Sequence, residues 1–86
     1  MIKINQKLIL REENSEAILF DPESLLTAWL NESAIEVWKY LCEGLTVEEI
    51  QTKMQSSYSD IDSHKLKSDI NEIIEHFKNA SYIYTE

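Results

Sequence analysis

Two histidines, one cysteine and 16 carboxylates are the side chains of this chain that could do acid–base, nucleophilic or metal chemistry. His64 and His76 fall in one helical pattern, which puts them about 18 Å apart along the axis at the standard rise. That is too far to share a metal ion, so each reads as a solvated helix residue. Cys42 is the only cysteine, which excludes an internal disulfide and a cysteine-based zinc site. It closes an apolar helix stripe and reads as a small buried residue, not a reactive thiol. The carboxylates are scattered over helix surfaces, where solvated charge is the rule. One glycine cannot build a phosphate-cradling loop. No nucleophile, base and orienting group converge. The reading is therefore a non-enzymatic protein without cofactor or metal.

The elements that would have to position any site divide the chain unequally. Residues 7–13 (KLILREE) read as a first strand, which Ile2 and Ile4 could extend, with Asn14-Ser15 as a hairpin tip. Residues 16–20 (EAILF) read as a second strand. Asp21-Pro22-Glu23-Ser24 is a turn in which Pro presets φ and Asp favours the first position. Residues 25–30 (LLTAWL) read as a third strand, and three short consecutive strands are most economically an antiparallel meander. Asn31 or Ser33 caps a first helix with Ala34, Ile35, Trp38, Leu41 and Cys42 on one side. Gly44 suits the left-handed turn that ends it. Thr46-Val47-Glu48-Glu49 is a capping box for a second helix that buries Val47, Ile50 and Met54. Tyr58 and Ile61, in the polar connection, fold back onto the core. Asp62 or Ser63 starts a third helix that runs to about Asn79, with Leu66, Ile70, Ile73, Ile74 and Phe77 as its apolar positions. The tail SYIYTE docks or adds a short extended piece. The expectation is a single α+β domain over residues 1–86: a three-stranded antiparallel meander, then three helices, winged-helix-like.

Composition is ordinary for a globular domain, with 43% hydrophobic and 28% charged residues. No apolar run approaches the roughly 20 residues that span a bilayer, and the N-terminus lacks a secretory pattern. The expectation is a cytoplasmic protein. The net charge is −8. Lys3, Lys7 and Arg11 against Glu12, Glu13, Glu16, Asp21 and Glu23 leave −2 on residues 1–31, so −6 falls on the rest. Such a chain repels phosphate backbones and anionic membranes. A winged helix-turn-helix regulator is the alternative suggested by element order. Its third helix would need to be basic, yet Lys65, Lys67 and Lys78 there are offset by Asp69, Glu72 and Glu75. The expectation is no nucleic acid and no membrane partner.

The ordered pattern LN…A..VW..L..GLTVEEI resembles the PqqD-like proteins, leader-peptide-binding domains called RiPP recognition elements, which serve biosynthesis of ribosomally made, post-translationally modified peptides. The matching residues are Leu30-Asn31, Ala34, Trp38, Gly44, Thr46, Val47 and Ile50. Asp69-Ile70, Ile73 and Phe77 match in the last helix, and Tyr82-Ile83 in the tail. Ala80-Ser81 stands where the family usually has a glycine. The resemblance implies a three-stranded sheet on three helices. It also implies a groove between the third strand and third helix, where a precursor's leader peptide lies as an added strand. It further implies a separate partner: a radical SAM enzyme, leader peptidase or cyclase.

The residues fit that mechanism. A strand that ends a meander can be a sheet edge, whose free N–H and C=O groups an extended peptide satisfies. Leu25, Leu26, Thr27, Ala28, Trp29 and Leu30 are the candidate strand residues. Lys67, Ile70, Asn71, Ile74 and Lys78 are the candidates on the helix. Leu66, Ile70, Ile73 and Phe77 form a stripe toward the core, with Ile74 beside it. Ile74 either faces the groove or widens the core stripe. Trp29 either anchors the incoming peptide or covers the sheet as a core residue. The acidic surface favours leaders with lysine or arginine beside apolar anchors. An open edge also leaves a choice between monomer and edge-paired dimer.

Overall fold

A computed structural model describes residues 2–14, 16–25 and 27–85. Strands β1 (Ile2–Ile4), β2 (Ile9–Glu13), β3 (Glu16–Phe20) and β4 (Thr27–Leu30) precede helices α1 (Glu32–Cys42), α2 (Val47–Ser57) and α3 (Ser63–Asn79), and β5 (Ile83–Thr85) closes the chain. The expected meander is present as an antiparallel sheet in the order β2-β3-β4. The α+β class and the three following helices agree with the sequence reading.

Two strand boundaries differ from expectation. The first strand starts at Ile9 because a turn precedes it: the Leu8 amide donates to the Asn5 carbonyl at 3.3 Å and the Lys7 amide to Asn5 Oδ1 at 3.1 Å. Ile2 and Ile4 therefore do not extend that strand. They lie in β1, which pairs antiparallel with β5, Ile2 opposite Thr85 and Ile4 opposite Ile83. The third strand starts at Thr27. Leu25 has φ +63°, outside the extended region, and its amide donates to the Asp21 carbonyl at 2.8 Å. At the β2–β3 tip Asn14 takes φ +56°, a value asparagine tolerates in two-residue hairpin loops.

The register sorts each strand's side chains onto two faces. Leu19 sits between Leu10 and Ala28, and Ala17 between Glu12 and Leu30. Ala17, Leu19 and Leu30 are buried against the helices. The outward rows are Arg11–Ile18–Trp29 and Ile9–Phe20–Thr27.

The helices begin and end as their residues dictate. Asn31 caps α1, its Oδ1 accepting from the Ala34 amide at 2.9 Å. Thr46 and Glu49 form the capping box of α2 with bonds of 2.9 and 3.2 Å. After α1 the chain turns through Gly44 at φ +88°, with Gly44 N–H on the Leu41 carbonyl and Leu45 N–H on that of Tyr40. Tyr58 and Ile61 fold back as expected, both half-buried against the core. The Tyr58 hydroxyl donates to Glu36 at 2.9 Å. At the centre Trp38 meets Phe77 edge-on, with ring centroids 5.4 Å apart. This is the geometry the aromatic quadrupole favours, and it ties α1 to α3. Cys42 is exposed, not buried as expected. Val37, not anticipated, is fully buried on α1. The α1 core face thus reads 34, 35, 37, 38 and 41, and it turns away before residue 42.

Candidate functional site

β4 pairs with β3 along one side; its other side has no strand partner among the described residues. Two of its four residues direct N–H and C=O groups to that free side, since strand pairing alternates. No charged residue or proline interrupts Thr27–Leu30, although edges are commonly protected by them. Across from the edge stands α3, and no Cα of α3 comes within 8 Å of a Cα of β4. The gap is a groove of about 830 Å³. Its floor is the start of α1 (Asn31, Ser33, Ala34), its near wall Trp29 and Leu30 with Glu16 at one side, and its far wall α3.

The α3 wall has two rows, each made by residues one turn apart. Asp69, Ile73 and Phe77 form the lower row, half-buried to fully buried. Glu72 and His76 form the exposed upper row. Asp69 also meets Lys65 at 3.5 Å on the helix surface. Trp29 is 71% exposed and lines a second, smaller concavity on the outer sheet face with Arg11, Glu13 and Ile18. Its indole is thus not the core tryptophan that the sequence allowed.

The candidate residues scatter on this map. Trp29 and Leu30 line the groove. Ala28 is half-buried and Thr27 exposed. Leu25 precedes the strand and is 71% exposed. Leu26 lies outside the described residues. On α3, Ile70 and Ile74 are buried in the core. Lys67, Asn71 and Lys78 are exposed and do not line the groove; Lys67 lines a separate shallow depression between α2 and α3. The groove face of α3 is 69, 72, 73 and 76, about one residue around the helix from the expected one. Leu66, Ile70, Ile74 and Phe77 make the buried stripe at a 4-4-3 spacing, and that rotation lifts Ile73 out of the core. The legible signal for Ile73 was an isoleucine ringed by Asp69, Glu72 and His76, an apolar residue in the middle of a polar face.

Residues 16–83 match the family model described as coenzyme PQQ synthesis protein D, PqqD. Two solved structures share the fold over nearly their whole length. One is TbiB1 in complex with the TbiA(beta) leader peptide, with a TM-score of 0.85, 21% identity, and 98% of this chain and 99% of that chain covered. The other is lasso peptide synthetase B1 complexed with the leader peptide, with a TM-score of 0.83, 14% identity and 98% coverage of both chains. No curated protein matches the sequence. The family match spans β3, β4 and all three helices, hence every residue that lines the groove. By that match the chain belongs to the PqqD family.

Proposed function

We propose that this protein is a RiPP recognition element, a non-catalytic cytoplasmic adaptor. It holds the leader of a ribosomally made precursor peptide as an added strand beside β4 and presents it to a modifying enzyme, whether a radical SAM enzyme, a leader peptidase or a cyclase. The observation that carries this reading is the unprotected β4 edge facing a groove of about 830 Å³ whose far wall is α3. The two similar folds, both bound to leader peptides, support it.

Magnitudes indicate where affinity would come from. Two outward-facing residues offer up to four backbone hydrogen bonds, each worth about 1 kcal/mol net. Ordering a four-residue segment of a flexible leader costs about 1–2 kcal/mol per residue. Backbone pairing therefore contributes register and little net affinity. Side chains must supply the rest, by covering half-buried Ile73 on the groove side and exposed Trp29 on the outer side.

The test is calorimetric titration with a synthetic leader peptide from a short precursor encoded beside this gene, together with amide hydrogen exchange. The expected result is saturable one-to-one binding, protection of amides in Thr27–Leu30, and loss of binding when a proline is placed in the pairing segment. Binding that ignores the proline and protects no β4 amide would overturn the reading.

A further inference from the structure

Among the described residues the groove carries three carboxylates, Glu16, Asp69 and Glu72, and neither lysine nor arginine. Backbone pairing and apolar side chains have no need of them. Asp69 stands in the same row as Ile73 and Phe77 and, unlike most charged residues of the chain, is half-buried. Its ion-pair partner Lys65 lies one turn back on the same helix, 70% exposed, at 3.5 Å. Such surface pairs contribute little, so an incoming cation can replace that lysine.

The row has a spacing that an extended peptide can match. Residues one helical turn apart are separated by about 6 Å along the axis. Side chains on one face of a strand recur about every 6.6–6.8 Å. A strand laid along α3 thus presents two successive inward side chains to Asp69 and Ile73. A second copy of this chain is a poor occupant. Pairing β4 with β4 would bring two molecules of net charge −8 together with their acidic α3 walls adjoining.

We propose that the peptide this groove takes carries a lysine or arginine two residues from an apolar side chain, the cation pairing with Asp69 and the apolar group covering half-buried Ile73. Glu72 and Glu16 add to the field that draws the cation in. This rests on the leader-binding reading above and specifies the substrate class of the same site.

The experiment is selection of phage-displayed random dodecapeptides on the intact domain, followed by titration of the synthesised consensus peptide. The expected consensus has lysine or arginine two positions from an aliphatic or aromatic residue. Its affinity falls about tenfold on the combined Glu16→Gln, Asp69→Asn and Glu72→Gln variant and declines as salt is raised. Selected peptides that protect β4 amides but show no basic preference, or that bind the variant equally well, overturn the charge assignment and leave strand addition standing. Selected peptides that protect no β4 amide overturn both.

Discussion

Ser81 occupies after α3 the backbone position that Gly44 occupies after α1. Both residues have positive φ, +63° and +88°. Ser81 N–H bonds the Lys78 carbonyl and Tyr82 N–H that of Phe77, as Gly44 and Leu45 do with Leu41 and Tyr40. Both ends are therefore Schellman motifs, in which glycine is preferred because it alone has no Cβ to strain. At the second end Tyr82 packs on Phe77, ring centroids 6.4 Å apart, and holds the turn despite the serine. That contact explains how the tail keeps its course although Ala80-Ser81 replaces the expected glycine.

Opposite effects follow at the two positions. Ser81→Gly should raise stability by about 0.5–1 kcal/mol by removing the left-handed penalty. Gly44→Ala should lower it by about 1 kcal/mol or somewhat more. An added Cβ at Gly44 meets no atom within 4 Å, so backbone strain is the whole cost. Urea denaturation with an unchanged slope checks both, and a neutral Ser81→Gly would show that the serine is relaxed.

Trp29 should separate binding from folding. It is exposed on the outer face of an edge strand, so Trp29→Ala should change stability by no more than about 0.5 kcal/mol. Loss of an aromatic anchor beside the groove should weaken the leader peptide about 30-fold. Titration and denaturation of the same variant check this pair of outcomes. Fluorescence gives a second readout. Trp29 emission should shift to the blue on peptide binding, whereas Trp38, 4% exposed, should not respond.

Acid should loosen the domain through two carboxylates that accept from backbone amides, Glu49 in the first turn of α2 and Asp21 before β4. The Thr46 amide donates to Glu49 at 2.9 Å and holds its carboxyl below the usual range. The Glu23 amide does the same for Asp21 at 2.9 Å. A carboxyl depressed in the folded state stabilises above its unfolded value, about 4, and that contribution is lost as pH falls through the folded value. The denaturation midpoint should therefore hold from pH 7 to about 5 and decline below that. Glu49→Gln and Asp21→Asn should flatten the decline, and an unchanged acid limb in both would remove these groups as its cause.

The fold was legible where local chemistry and period agreed. Asn31 and the Thr46–Glu49 box mark helix ends through their own side chains, Gly44 through its freedom to take positive φ, and each lies where its residue type placed it. The groove was legible in part. A strand of Thr, Ala, Trp and Leu at the end of a meander reads as an edge from order alone. The α3 wall was not legible, because Ile73 and Ile74 are adjacent, both apolar, and about 100° apart around a helix. Which one meets the core depends on the helix roll set by Trp38 against Phe77, a contact between residues 39 positions apart. The β1–β5 pair was hidden for the same reason: Ile2–Ile4 needs a partner at the far end of the chain.

That last pairing has a consequence for engineering. With Ile2 opposite Thr85, the first and last strands leave the domain side by side, about 5 Å apart. A short linker could join them and move the chain break to the exposed Ser59-Asp60 step between α2 and α3, without opening the β4 groove. For the same reason the unit could be spliced into a surface loop of a host enzyme as a cassette. It would enter and leave through one narrow neck, with its groove free to recruit peptides for its host.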